Sequence, residues 1–448
     1  MGEIQKSIGN YRWTICALVF FATTINYLDR QVISLLKPYL ESAGLFGDDP
    51  MRYESVYANI VICFQIAYAS GMLLVGGIID RFGTKIGYAL SLFGWSIAAI
   101  GHAFAKGPFG FGVARAALGV PEAGNFPAAN KTIAEWFPKK ERALATGIYN
   151  SGTNVGAIVA PLVVPWMAIH WGWQTAFIVT GAIGLVWLFF WWVIYDTPDK
   201  KVANGKLKKE EYEYILSDKD EAVPQDGQEL SKIGWFKLLT YRQTWAFFLG
   251  KLLTDPIWWF FLFWLPAFLK EQYGLKGTEV SFPIAVVYMM TTFGSVLGGW
   301  LPKYFIEKGM DANKARKKAM FIYALFPLLV LSAQYLGGFN MWYAVIIIGI
   351  AASAHQAWSA NIFTTVSDMF PKRAIASVTG IGGMAGAFGG IMIAKAAGML
   401  FDHYKAAGDI RIGYGIMFMI CAVAYIIAWT VMHLLVPKFK KLDFGDKN

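Results

Sequence analysis

The chain has 448 residues, of which 56% are hydrophobic and 16% charged, with a mean hydropathy of +0.43 and a formal net charge of +10. A soluble domain carries about 25% charged residues, so this composition excludes a soluble globular protein. The excess of Lys and Arg is expected in loops on one side of a membrane, with no nucleic-acid partner.

A helical span needs roughly 20 apolar residues. Twelve such runs begin near residues 13, 56, 86, 109, 144, 174, 244, 280, 319, 340, 375 and 412. They are continuous, without the alternation over about ten residues that marks barrel strands, and predict an all-α integral membrane protein. The first run is too long for a signal peptide, holds Asn26, Asp29 and Arg30, and lacks a small-residue cleavage pattern; it is expected to be helix 1. Cys16, Cys63 and Cys421 fall within apolar runs and show neither metal spacing nor a disulfide framework. No metal or cofactor is expected.

Short loops on the side of the N-terminus hold 14 Lys and Arg, and those on the other side hold 7. The positive-inside rule places the first side in the cytoplasm, with both termini inside a plasma (inner) membrane crossed many times. Seven charges remain at membrane depth: Asp29, Arg30, Arg115, Glu122, Lys251, Asp255 and Lys395. Such residues are costly in hydrocarbon and normally face a water-filled path or a ligand. Lys251 and Asp255, four apart, are expected to pair internally. Lys395 lies near the outer end of its helix and is expected to snorkel.

Residues 196–242 form the one long polar stretch. It has too few apolar residues for a core and predicts a cytoplasmic linker with a pair of short amphipathic helices. Phe137-Pro-Lys-Lys-Glu-Arg-Ala-Leu-Ala-Thr-Gly147 and Phe370-Pro-Lys-Arg-Ala-Ile-Ala-Ser-Val-Thr-Gly380 share six of eleven positions at an offset of 233 residues. The repeat predicts twelve transmembrane helices in two six-helix halves: 1–195, the 196–242 linker, and 243–448. Parallel six-helix repeats place a substrate site near the midplane between the halves.

Gly76-Gly-Ile-Ile-Asp80-Arg81-Phe-Gly83-Thr-Lys85 follows helix 2. With it, nearly the whole chain resembles the major facilitator superfamily. The stretch is similar to that family's loop signature and departs from it at Thr84, where a basic residue is usual. The resemblance implies a gating and folding element of Gly76, Asp80, Arg81, Gly83 and Lys85, in which Gly83 permits the turn. Within the superfamily the chain resembles the anion:cation symporters, and among them the bacterial hexuronate (glucuronate and galacturonate) and aldonate transporters. The residues that carry this are Asn26-Tyr-Leu-Asp-Arg30, Arg115-Ala-Ala-Leu-Gly-Val-Pro-Glu122-Ala-Gly-Asn-Phe-Pro127, Glu135-Trp-Phe-Pro-Lys-Lys-Glu-Arg142, and Ala354-His-Gln-Ala357 followed by Ser367-Asp368.

Arg115 and Glu122 are seven apart and face one way on a helix. Opposite helix directions put Asp29 and Arg30 at a similar depth. Arg grips a carboxylate with two parallel hydrogen bonds and stays charged. A carboxyl group's proton affinity moves with burial and with a neighbouring Arg. Together the four residues suit binding of an organic anion, and the resemblance implies proton symport with Asp29 and Glu122 as carriers. The alternative is that Asp29–Arg30 and Arg115–Glu122 are self-neutralising pairs that lock helices together.

Tyr27, Tyr68, Thr153, Asn154 and Gln356 are further candidates to read substrate hydroxyls. His355 is either a substrate contact or a structural hydrogen bond. Most of Trp258–Trp264 is expected to face lipid, with an aromatic wall of the cavity as the alternative. The glycines of helix 11 are expected to permit close helix packing. No enzyme motif is present. The expected function is proton-coupled import of a hexuronate by a monomer. The alternatives are another monocarboxylate or aldonate, a proton-exchanging exporter, and a sensor built on a transporter fold.

Overall fold

The computed structural model describes residues 9–217, 235–370, 372–440 and 442; the side chain of Asp80 lies outside the described residues. Among these residues every regular element is helical. α1 is Tyr11–Ser42. α2 and α3 share one stretch, Tyr53–Gly101, which breaks at Gly83. α4 is two segments, Pro108–Glu122 and Asn125–Trp136. α5 is Lys139–Trp171 and α6 is Trp173–Ile194. In the second half α7 is Arg242–Tyr273 and α8 is Ser281–Glu307. α9 runs from Ala312–Leu325 through the 3-10 turn Phe326–Ser332 to Ala333–Gly337. α10 is Met341–Met369, α11 Lys372–Ala406 and α12 Ile410–Leu435.

Ten of the twelve are long and apolar enough to cross a membrane by length and composition. The other two are α1 and α4, which carry Asp29, Arg30, Arg115 and Glu122. The polar residues of α1 lower its average, while 32 residues at 1.5 Å each still give it a length of about 48 Å, ample for a span; α4 is divided into segments of 15 and 12 residues, each too short alone. Twelve spans put the start of α1 and the end of α12 on one face, termed the terminal face; the opposite one is the far face. Two of the short helices expected in the polar stretch are present, Pro198–Ala203 and Lys209–Leu216; residues 218–234 of that stretch lie outside the described residues.

Small residues set how closely the helices approach. A Cβ on Gly156 of α5 would sit 2.4 Å from the Thr24 carbonyl oxygen of α1, and one on Gly294 of α8 would sit 2.2 Å from the Ser353 carbonyl oxygen of α10. Gly156 of α5 and Gly389 of α11, 233 residues apart, occupy matching places in the two halves. In α11, a Cβ on Gly389 would meet the Leu252 carbonyl oxygen of α7 at 2.5 Å, as expected for close packing.

The two halves are joined unevenly. Towards the far face, Val32, Leu36 and Tyr57 share one apolar core with Phe260, Trp264 and Phe268 of α7. Towards the terminal face the first half keeps a core of its own, built around Val19, Trp95, Trp136 and Trp191. Polar contacts follow the same division. Lys37 is buried between Glu41, at 3.0 Å, and Glu54; Lys270 of α7 reaches Glu41 at 3.1 Å. Asp402 of α11 accepts from the backbone N–H groups of Glu54 at 3.0 Å and Ser55 at 2.9 Å, in the first turn of α2. The Tyr57 hydroxyl donates to the Phe263 carbonyl at 3.0 Å. These contacts close the far face. On the terminal face the described ion pairs stay within one half or its adjoining connector: Arg12 with Glu141 at 2.8 Å and Glu211 at 3.2 Å, Lys85 with Asp196 at 3.0 Å, and Arg316 with Asp368 at 2.7 Å.

The break between α2 and α3 needs its glycine. Gly83 has φ 78° and ψ 162°, a backbone that a side chain would strain. A Cβ on Gly76, by contrast, would meet nothing within 4 Å. Lys85 holds Asp196, at the end of α6, and lies 5.5 Å from the centre of the Trp192 ring; Arg81 is exposed beside Phe82. Burial acts to raise the Asp196 carboxyl, but the hydrogen bonds from Lys85 and the Thr197 N–H, with the charges of Lys85 and Lys200, together outweigh it and hold this group below the ordinary range. Thr84 donates to Glu135 of α4 at 2.6 Å, and the Tyr195 hydroxyl donates to the same carboxylate. The position that departs from the family signature thus has a hydrogen-bonding partner.

Lys270 is 35% exposed, so its pair with Glu41 contributes modestly, on the order of 1 kcal/mol or less. Lys270→Gln is therefore expected to loosen the far-face closure without unfolding the protein. In a cysteine-free background, a cysteine at the fully buried Leu36 is expected to react several-fold faster with a membrane-impermeant thiol reagent when Lys270→Gln is present.

Candidate functional site

α1 brings Asn26, Asp29 and Arg30 to the middle of the first half, and the first segment of α4 brings Arg115 and Glu122. All five are buried, Arg115, Glu122 and Asn26 completely. The helices interlock as a cross-helix pair. Arg30 donates through Nε at 3.1 Å and Nη2 at 2.9 Å to Glu122 Oε2, and its Nη2 also meets Asn26 Oδ1 at 3.2 Å. Neither pairing considered within one helix, Asp29–Arg30 or Arg115–Glu122, is among the ion pairs formed.

Arg115 donates from Nη2 to the Arg30 backbone carbonyl at 3.2 Å. Its Nε and Nη1 are buried without a protein acceptor, as are Glu122 Oε1 and both oxygens of Asp29 without a donor of good geometry. Asp29 lies against Thr180 of α6, whose hydroxyl donates to the Phe177 carbonyl at 3.3 Å. Buried polar groups are nearly always hydrogen-bonded. Unmet donors and acceptors gathered around one arginine are therefore what a polar ligand or water would satisfy.

Aromatic rings enclose the arginines. The Arg30 guanidinium carbon lies 4.8 Å from the ring centres of Tyr27 and Tyr68, 5.3 Å from that of Phe64 and 5.5 Å from that of Trp259; Arg115 lies 4.8 Å from Phe64 and 5.9 Å from Phe263. Each such contact is worth roughly 0.5–2 kcal/mol and keeps the cation flat against its walls. Trp259 and Phe263 belong to α7, so the second half closes one wall of a site whose charges come from the first.

The expected lipid exposure of Trp258–Trp264 is overturned. Phe260–Trp264 are at most 2% exposed and Trp258 and Trp259 are partly buried. α7 lies between α1, α10, α11 and α12, and so lacks a wide lipid face.

The remaining candidates are distributed differently. Tyr27 and Tyr68 belong to the arginine enclosure. Thr153 and Asn154 are partly buried on α5, where the Thr153 hydroxyl donates to its own helix at the Asn150 carbonyl, 2.8 Å away. Gln356 is partly buried on α10. His355 is buried in the second half, with Nδ1 2.7 Å from the Tyr425 hydroxyl and its ring stacked on Trp258 at 5.3 Å. No described contact ties His355 to either arginine. Lys251 and Asp255 form the expected pair at 2.7 Å, and Lys395 is exposed with Nζ 3.4 Å from Asn59 Oδ1.

Gln65 is the group that sequence reading passed over. It is 1% exposed, both its amide atoms lack a partner, and a Cβ on Gly390 of α11 would sit 2.9 Å from its Nε2. It precedes Tyr68 by three residues and shares its helix face; an amide inside an apolar run was the available signal. No cluster of His, Cys, Asp and Glu suited to a metal occurs among the described residues.

The profile of the Major Facilitator Superfamily matches residues 19–394. The chain belongs to the major facilitator superfamily. It is a multi-pass membrane transporter and not an enzyme. It is 30% identical to the hexuronate transporter of Escherichia coli K12 over 436 residues, covering 96% of both chains. It is 33% identical over 340 residues to the galacturonate transporter of Dickeya chrysanthemi, covering 76% of this chain and 94% of that one. A solved D-xylose-proton symporter shares the fold, with a TM-score of 0.74 at 15% identity, covering 96% of this chain and 100% of the other.

Removing one partner of a buried ion pair costs about 3–5 kcal/mol, because the other charge is stranded. Arg30→Met is expected to lower thermal stability in detergent for that reason. Arg30→Met/Glu122→Gln is expected to recover most of the loss, since neither charge remains.

Proposed function

We propose that this protein is a proton-coupled symporter that imports an organic anion, most specifically a hexuronate. The observation that carries the proposal is the pair of unpartnered buried donors on Arg115, beside an arginine already matched by Glu122. The E. coli and D. chrysanthemi relatives named for hexuronate and galacturonate support the substrate class. The reading takes the terminal face as cytoplasmic and residues 196–242 as the connector between two transport halves. The far-face closure then leaves the site opening inwards.

In this mechanism a substrate carboxylate binds one of the free donors of Arg115, Nε or Nη1, and competes for Arg30. Each Arg30 donor turned to the substrate is taken from Glu122. A buried carboxylate that loses its cation gains affinity for a proton, so occupation of the arginines and protonation of Glu122 support each other. Asp29, enclosed between α1 and α6, is the second proton carrier. Tyr27, Tyr68, Thr153, Asn154, His355 and Gln356 are proposed to read substrate hydroxyls, with Gln65 beside them. The loop of Gly76, Asp80, Arg81, Gly83 and Lys85 acts in gating.

The test is proton-driven uptake and substrate exchange, measured together in proteoliposomes. Wild type is expected to accumulate a labelled hexuronate when the outside is acid. A neutral hexose with the same hydroxyls is expected to compete more than a hundredfold less well, because it strands a buried Arg at a cost of about 3–5 kcal/mol. Glu122→Gln is expected to stop accumulation while keeping exchange, and Asp29→Asn to reduce accumulation. Full accumulation in Asp29→Asn/Glu122→Gln would remove both acids from coupling. Equal competition by the neutral hexose would remove the anion reading.

A further inference from the structure

α7 carries Lys251, Asp255, Trp259 and Phe263 at intervals of four residues. That spacing sets them along one ridge of the helix, each about 6 Å further along the axis and turned about 40° from the one before. Two of them are already placed: Trp259 lies over Arg30 at 5.5 Å and Phe263 over Arg115 at 5.9 Å. Asp255 therefore sits one step from the arginine site towards the terminal face, and Lys251 two. α11 supports the same alignment, since a Cβ on Gly386 would meet Asp255 Oδ2 and a Cβ on Gly390 would meet Trp259 and Gln65.

Lys251 Nζ is 2.7 Å from Asp255 Oδ2 and lies 4.3 Å from the centre of the Phe363 ring. Lys251 is the more buried partner, with 6% of its side chain exposed against 19% for Asp255. Of the two side chains the carboxylate is thus the more accessible. At the arginine end Arg30 is matched by Glu122 and Arg115 has donors to spare; at this end the cation is fully matched. A sugar acid bound by its carboxylate at Arg115 would direct its other end here.

Resting on the anion reading above, we infer that the Lys251–Asp255 pair selects sugar acids by charge number. It holds this end of the site neutral and acceptor-rich. A single-carboxylate acid offers hydroxyl donors there and is accepted. The dicarboxylic acid of the same skeleton sets its second carboxylate against Asp255 and is rejected.

Competition by a hexuronate and by the aldarate of the same carbon skeleton, measured on purified protein in proteoliposomes, tests this. Wild type is expected to favour the hexuronate at least tenfold. Asp255→Asn unmasks Lys251 and is expected to shrink that preference at least tenfold. Lys251→Gln leaves Asp255 unmatched and moves the preference the other way. Lys251→Gln/Asp255→Asn, which restores neutrality, is expected to return near the wild-type ratio. Folding is checked by gel filtration, and if Asp255→Asn does not fold, Lys251→Gln reads the same ratio. Absence of any acid binding by wild type would overturn the anion reading. Retained hexuronate binding with the same ratio in both folded single variants would overturn this inference alone, as would wild type binding both acids equally.

Discussion

The structure depends on holding two guanidinium groups away from bulk water with only one carboxylate bonded to them. Glu122 takes Arg30, and Arg115 is left leaning on a backbone carbonyl. An isolated buried charge is too costly to persist unless its surroundings repay it, and the surroundings here do so in parts. Rings of Tyr27, Phe64 and Tyr68 face the cations, and the carboxyl of Asp29 lies within the same field. The fold around the site reads as support for this arrangement. Glycines let α1 and α5 meet at backbone distance, and α4 is interrupted at Ala123 and Gly124, directly after Glu122.

The broad architecture was legible because hydrocarbon admits so few solutions. Long apolar runs can only be helices, and the repeat near Phe137 and Phe370 shows the twofold plan. The site charges were legible for the same reason: Asp29, Arg30, Arg115 and Glu122 interrupt runs that otherwise avoid charge. Which acid meets which base was not legible. Spacing along a helix suggested partners on that helix, whereas the actual partner of Arg30 comes from a helix 92 residues away in the chain. Sequence spacing carries no information on the rotation of α1 against α4. The α7 aromatics failed for a related reason. Trp258–Trp264 reads the same whether it meets lipid or four helices, and only assembly decides. Gln65 was passed over because a single amide in an apolar run resembles many harmless ones until its lack of partners is seen.

The unequal joining of the halves gives the molecule a direction. An apolar core shared between halves resists separation in proportion to its area, and polar contacts across the same region add alignment more than energy. Towards the terminal face the cores are separate and the ion pairs among the described residues stay on their own side. The clamp of Lys85, Asp196, Thr84 and Glu135 therefore ties the terminal-face end of the first half into a single unit. Motion is concentrated where the two halves meet.

Asp402 has a consequence of its own. It caps the first turn of α2 from the opposite half, so two backbone N–H groups of one half are satisfied only while the other is docked. When the far face parts, those groups and the carboxylate must each find water, and when it closes they must shed it. Water can replace such a contact at little enthalpic cost, which makes the cap a seal that is easily reversed. Every cycle then wets and dries this point, and the balance between open and closed becomes sensitive to the chemical activity of water. Osmolytes excluded from the protein surface would favour the sealed state, a dependence on the medium that involves neither the substrate nor the proton.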